Sequence, residues 1–465
     1  MLFSSISFLF YFLPIILLIY YIVPKNVKNL VLLVFSLGFY MYGEPKYIIV
    51  MVVSILLAYI HGLLVDKYLE KDKQMSKMFL ISSIVFALGF LVYFKYTNFF
   101  IKNINSIFST DFTLLNIVLP IGISFYTFQS LSYVVDVYTK KVKVQKSLLK
   151  LAMYISLFPQ LIAGPIVRYS AIEDQLESRK LTFEKFSNGI TRFIIGLAKK
   201  ILIANSLASL CMQFSNTSEK TTVFFWMYGL ANAMYIYFDF SGYSDMAIGL
   251  GKMFGFEFLE NFNYPFISKT NTEFWRRWHI SLGSWFRDYV YIPLGGNRVS
   301  KGKFIRNIFI VWLLTGFWHG AEWTFIAWGL YFAVMLTIEK ESKFHFPSII
   351  QRILLIFSVI ISFILFSAVN IKDAFMTIGG LFGYGTNSFI NEETLYYLKS
   401  YGVMIVIGMF LSTPILKIFI NKLKEKKTLN YVINVCEVVV VVALLLVCTS
   451  YLIDSSFNPF LYFRF

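Results

Sequence analysis

The 465-residue chain contains four histidines. One of them, His319, falls in "LLTGFWHGAEW", residues 313–323, an otherwise apolar run that also carries Glu322. Imidazole, with an ordinary pKa of about 6.5, is the side chain able to take up and return a proton around neutral pH. On a helix through 304–320 and a turn beyond, Thr315, His319 and Glu322 are spaced four and three apart and share a face. A hydroxyl or a carboxylate would then orient the ring. The same spacing equally suits a packed helix whose histidine is simply hydrogen-bonded at its end. Gly316 and Gly320, beside that face, form a small-xxx-small pair that lets a neighbouring helix approach closely. His279 sits among tryptophans and arginines in "FWRRWHISLG", where an interfacial, non-catalytic histidine is the alternative.

The acidic residues in apolar segments read differently. Asp239 and Asp245, in "YIYFDFSGYSDMAIGLG" (235–251), are six residues apart, about 240° of rotation on a helix, so they do not form a paired acid and base. Each is expected to tie down a helix break or a neighbouring polar group, and Asp136 in "LSYVVDVYTKK" reads the same way. The sequence has no Gly-rich phosphate loop, no nucleophilic serine elbow and no metal-ligand spacing; Cys211, Cys436 and Cys448 suggest neither a disulfide framework nor a metal site. Any chemistry here must rest on histidine.

The elements that would position these side chains are membrane helices. The chain is 57% hydrophobic and 15% charged, with a mean hydropathy of +0.66, far too apolar for a soluble protein of this length. Apolar runs near the ~20 residues needed to cross a bilayer recur from residue 3 to residue 453. The reading is an all-α polytopic membrane protein of about eleven or twelve transmembrane helices, with spans that include 29–43, 114–138, 304–320 and 322–339. The first span, 3–23, lacks a basic leader and a cleavage pattern and is expected to be retained. Basic loops at 66–77, 139–146 and 421–427 mark the cytoplasmic side and leave both termini outside. The formal charge of +16 is what such loops supply, and no nucleic-acid motif competes with that explanation.

One integral domain, 1–465, accounts for the chain. Within it, Pro159, Gly164 and Pro165 interrupt a segment near 148–168 that is expected to be re-entrant and to border an internal cavity. In the 268–303 region, Trp275, His279, Leu282 and Phe286 fall at helical spacing while Arg276, Arg277 and Arg287 lie off that face, as in a helix lying at the cytoplasmic interface. A tail, 454–465, ends "SSFNPFLYFRF".

Taken together, "MLFSSISFLFYFLPIIL", "SFYTFQSLSYVVDVY", "LFPQLIAGPIVRY", "YFDFSGYSDMAIGLG", "FWRRWHISLGSWFRDYVYIPLGG" and "LTGFWHGAEWTFIAWGLYF" resemble the membrane-bound O-acyltransferase family. The match is to its bacterial branch, which O-acetylates alginate, peptidoglycan and other envelope polymers, and it spans nearly the whole chain in unchanged order. The resemblance implies a fold around a central tunnel through the bacterial cytoplasmic membrane. It equates His319 with the family's intramembrane catalytic histidine and His279 with the second histidine of this branch. It also implies a thioester donor, acetyl-CoA, entering from the cytoplasm, and an extracytoplasmic SGNH-type acetyltransferase or esterase-like partner that presents the polysaccharide.

On that basis His319 is expected to be the general base, and His279 to orient the donor or assist near the cytoplasmic mouth. Arg276, Arg277 and Arg287 would hold coenzyme A phosphates, with anchoring to anionic headgroups as the alternative. Tyr462 in the tail resembles a tyrosine thought to relay acyl groups in relatives; an aromatic interfacial anchor is the alternative. Glu322 carries no role from the resemblance. Two further readings stay open: D-alanyl transfer to teichoic acid from a carrier-protein thioester, and a proton-coupled solute transporter, which predicts repeat symmetry and paired carboxylates that the sequence lacks.

Overall fold

The computed structural model describes residues 2–162, 164–342 and 346–454. All regular secondary structure among them is helical. The chain divides into two compact units, one of Met1–Phe193 and Ser244–Leu259, the other of Ile194–Tyr243 and Glu260–Phe465. In chain order the helices are α1 Leu13–Ile22, α2 Lys28–Gly43, α3 Ile48–Leu69, α4 Lys73–Phe108, α5 Ile123–Tyr138, α6 Leu148–Ser156, α7 Phe158–Leu161, α8 Tyr169–Glu177, α9 Phe183–Ala198, α10 Asn205–Asn216 and α11 Thr222–Met253. They continue as α12 Asn271–Arg277, α13 Ile280–Phe286, α14 Lys301–His319, α15 Trp323–Glu341, α16 Ser348–Ser367, α17 Ile371–Gly380, α18 Glu392–Leu411, α19 Ile415–Lys424 and α20 Lys427–Asp454.

Six helical stretches of the described residues are long and apolar enough to cross a membrane, and Phe8–Ile22 and Lys28–Gly43 are shorter apolar helices. The protein is a multi-pass membrane protein. Fewer helices meet that standard than the eleven or twelve expected, because several expected spans are realised as shorter or more charged helices. The helices formed at the expected spans 29–43 and 114–138, Lys28–Gly43 and Ile123–Tyr138, each have 16 residues, about 24 Å at 1.5 Å per residue, against a hydrocarbon core of about 30 Å. Helix α14 carries Lys301, Lys303 and Arg306 in its first two turns.

In the first unit, segment 148–168 is not one continuous helix. Helices α6 and α7 are separated at Leu157, whose ψ of 110° breaks the hydrogen-bond ladder, and Pro159 occupies the opening turn of α7, where its missing N–H costs nothing. Side chains satisfy the interrupted backbone: Ser36 Oγ accepts from Phe158 N–H and Tyr154 Oη donates to the Val167 carbonyl, at 3.1 and 3.0 Å. The segment is buried from Leu157 to Ile162, which suits an interrupted helix in a membrane protein. Nearby, α9 and α11 touch backbone to backbone at Gly189 and Gly249; a Cβ on either would come within 2.8 Å of the other's carbonyl oxygen.

The core of the second unit is aromatic. Phe274 and Trp278 stack with centroids 5.4 Å apart, and Trp278 is also packed by Phe262, Tyr237 and Phe363. Trp328 and Phe332 of α15 close on Trp275 of α12. Rings of this size bury large areas in few rotamers, so α12, α15 and α16 hold the polar groups described next in fixed positions.

Candidate functional site

His319 is the last residue of α14. Gly320 then adopts an extended conformation with φ −169°, and Glu322, with φ −140°, is the N-cap residue of α15. The expected face of Thr315, His319 and Glu322 is therefore not formed, because the helix ends before Glu322. Thr315 Oγ1 donates to the Val311 carbonyl of its own helix at 2.8 Å. What fixes His319 instead is the crossing of α14 with α15. The small residue facing Gly316 is Gly329: a Cβ at Gly316 would lie 2.5 Å from the Phe325 carbonyl oxygen, and one at Gly329 would lie 2.4 Å from that of Trp312. Gly320 is covered by the Phe325 ring. With the backbones in contact, the imidazole is walled by Trp318, Trp328 and Phe366 at centroid distances of 5.0, 5.0 and 5.3 Å. Only 7% of His319 is exposed.

His279 does not continue a helical face either. The 268–303 region breaks into α12 and α13, and His279 stands between them with φ 44° and ψ 51°. A non-glycine residue in this left-handed region carries backbone strain of about 1–2 kcal/mol. The side chain is 1% exposed and packs edge-on against Phe240 at 4.7 Å. Asn261 holds it: Oδ1 of Asn261 lies 3.2 Å from His279 Nδ1 and accepts hydrogen bonds from the Ser281 backbone N–H at 3.2 Å and the Ser281 hydroxyl at 2.8 Å. The Asn261 carbonyl also accepts from Ile280 N–H at 3.0 Å. Burial pushes the His279 pKa down to about 3, so the ring is neutral at physiological pH.

The two imidazoles meet edge-on with centroids 6.4 Å apart, and Trp318 packs against both. A neutral imidazole in an apolar, aromatic enclosure can take up the proton of a bound hydroxyl where water competes weakly.

The other predicted residues fall elsewhere. Helix α11 runs unbroken through Asp239 and Asp245, and each carboxylate meets a cation of another helical segment. Asp239 pairs with Lys200, both side chains being at most 1% exposed. Asp245 is held by Arg192 at 2.6 Å, and Asp136 lies 3.6 Å from Lys141. Arg277 is bonded to Glu273 and to the Asn263 carbonyl, and Arg287 to the adjacent Asp288. Arg276 is the remaining arginine of α12. Tyr462 lies outside the described residues. Sequence reasoning missed Asn261, Lys200 and Arg192; for the two cations the available signal was a basic residue within a long apolar helical run.

An all-helical, multi-pass membrane protein with two buried histidines in one aromatic enclosure defines the class. A family model, that of the membrane-bound O-acyltransferase family, matches residues 140–376. The chain is 38% identical to a probable alginate O-acetylase of Azotobacter vinelandii over all of both chains. It is 34% identical to a peptidoglycan O-acetyltransferase of Helicobacter pylori over 82% of this chain and 80% of that one. A teichoic acid D-alanyltransferase of Bacillus subtilis is 33% identical over 49% of this chain and 62% of its own length. This chain belongs to the membrane-bound O-acyltransferase family and is an O-acyltransferase.

Proposed function

We propose that the protein moves acetyl groups from acetyl-CoA on the cytoplasmic side of a bacterial inner membrane toward O-acetylation of an envelope polysaccharide such as alginate or peptidoglycan. The observation that carries this reading is likeness over the whole length to an alginate O-acetylase, against likeness over half the chain to a D-alanyltransferase. In this reading His319 is the general base that takes the proton of the accepting hydroxyl as it attacks the thioester carbonyl, a role worth about 10²–10⁴ in rate. His279 assists beside it. Arg276, Arg277 and Arg287 contact the coenzyme A phosphates. Both termini lie outside, where Tyr462 receives acetyl and an SGNH-type partner transfers it to the polymer.

The test is transfer of radiolabelled acetyl from coenzyme A to purified protein in detergent, with H319A and Y462F alongside. Label on the wild type that is lost in both variants supports the full relay. Label retained at wild-type level in folded H319A overturns the base assignment, and label retained in Y462F overturns the tyrosine relay. Label from a D-alanyl carrier thioester, with none from acetyl-CoA, replaces the donor assignment with D-alanyl transfer.

A further inference from the structure

The hydrogen bonds around Asn261 fix more than the position of His279. A backbone N–H can only donate, so the atom of the Asn261 amide facing Ser281 N–H must be its oxygen. That same oxygen faces Nδ1 of His279 at 3.2 Å. An amide oxygen only accepts, which requires the proton of the neutral imidazole to be on Nδ1. A hydrogen bond made by one ring nitrogen of a neutral histidine fixes which of the two carries the proton. Nε2 is then the lone-pair nitrogen; it is buried and has no hydrogen-bond partner among the described residues. His319 is the titratable group facing this ring from α14.

We infer that Asn261 is a positioning residue that locks His279 in the Nδ1–H tautomer, making His279 a hydrogen-bond acceptor within the histidine pair. This deepens the reading of the site proposed above and rests on it for the identity of the group accepted. In this form His279 receives a hydroxyl or N–H hydrogen at Nε2. It does not donate to the carbonyl oxygen of a thioester. Stabilisation of developing negative charge on that oxygen therefore falls to other donors, and His279 is left to orient the nucleophile or a protonated His319.

The tautomer is read directly by solid-state NMR of ¹⁵N-histidine-labelled protein in lipid bilayers, with the His279 signals identified by their loss in H279Q. The expected result at pH 7 is a protonated Nδ1 and an unprotonated Nε2 in the wild type, retained in N261D and lost in N261L. An Nε2–H ring or an imidazolium in the wild type overturns the inference. Because no acyl donor is present, that failure is distinct from a wrong donor assignment. A second readout does not need H279Q. N261L should lower kcat about 10- to 100-fold, as loss of an orienting partner typically does, with donor KM little changed. N261D should recover part of the rate and move the acid limb of the kcat/KM profile to higher pH, because a carboxylate beside Nδ1–H favours the imidazolium. Equal losses in both variants with an unmoved acid limb would mean that Asn261 only supports the fold, and would also overturn the inference.

Discussion

Lys200 and Asp239 form an ion pair in which neither side chain is more than 1% exposed, joining the π-helical turn of Lys199–Ala204 to helix α11. A pair this deep is weak evidence for net stability, because desolvation of two charges offsets their attraction, yet removal of one partner leaves a buried charge uncompensated. The asymmetry makes it testable.

D239A should therefore destabilise the protein by about 3–5 kcal/mol, and the double variant K200M/D239L should be more stable than either single replacement. Thermal unfolding in detergent, followed by fluorescence-detected size exclusion, reads both. A double variant no better than D239A would show that the pair does not act as a unit.

The crossing of α14 and α15 leads to the second prediction. With only 2.4 Å between a Cβ at Gly329 and the Trp312 carbonyl oxygen, even alanine forces the two backbones apart. Overpacking of this kind costs about 1–3 kcal/mol, and here it also moves the residue that ends α14, His319. G329A should lower both the unfolding temperature and the rate of acyl transfer. G302A, where nothing lies within 4 Å of an added Cβ, should change neither.

The buried neutral state of His279 sets a pH dependence. Its pKa is lowered to about 3 in the folded protein, against about 6.5 when solvated. As pH falls below 6.5 the unfolded chain takes up a proton that the folded chain refuses, so folded stability is progressively lost between those two values. Unfolding temperature should decline on acidification from pH 7 to pH 4, and H279Q should flatten that decline. An unchanged slope in H279Q would assign the acid sensitivity to other groups.

Arg287 offers a fourth measurement. Its side chain is 62% exposed and already bonded to Asp288 at 2.7 Å, an ion pair worth about 0–1 kcal/mol at such exposure. R287Q should leave stability unchanged. If Arg287 binds donor phosphate, R287Q should raise donor KM, and the salt dependence of that KM should be weaker than in the wild type. Unchanged KM would leave the arginine as a headgroup anchor.

Composition and the order of motif blocks determined that the chain is a multi-pass helical protein and pointed to its family, because apolar length and residue identity are properties of the chain itself. The two histidines were also legible, as rare ionisable groups in aromatic surroundings. Their relationship was not. Helical spacing grouped Thr315 and His319 with Glu322, and Trp275 with His279, on the premise of continuous helices. The structure ends α14 at His319 and turns the backbone left-handed at His279, where Phe325 and Gly329 pack against the end of α14 and Asn261 bonds the turn. The partners of Asp239 and Asp245 are 39 and 53 residues away in sequence, so no local pattern could name them. Tertiary packing decided which polar groups meet, because burying a charge or an imidazole requires partners and walls that only distant segments supply.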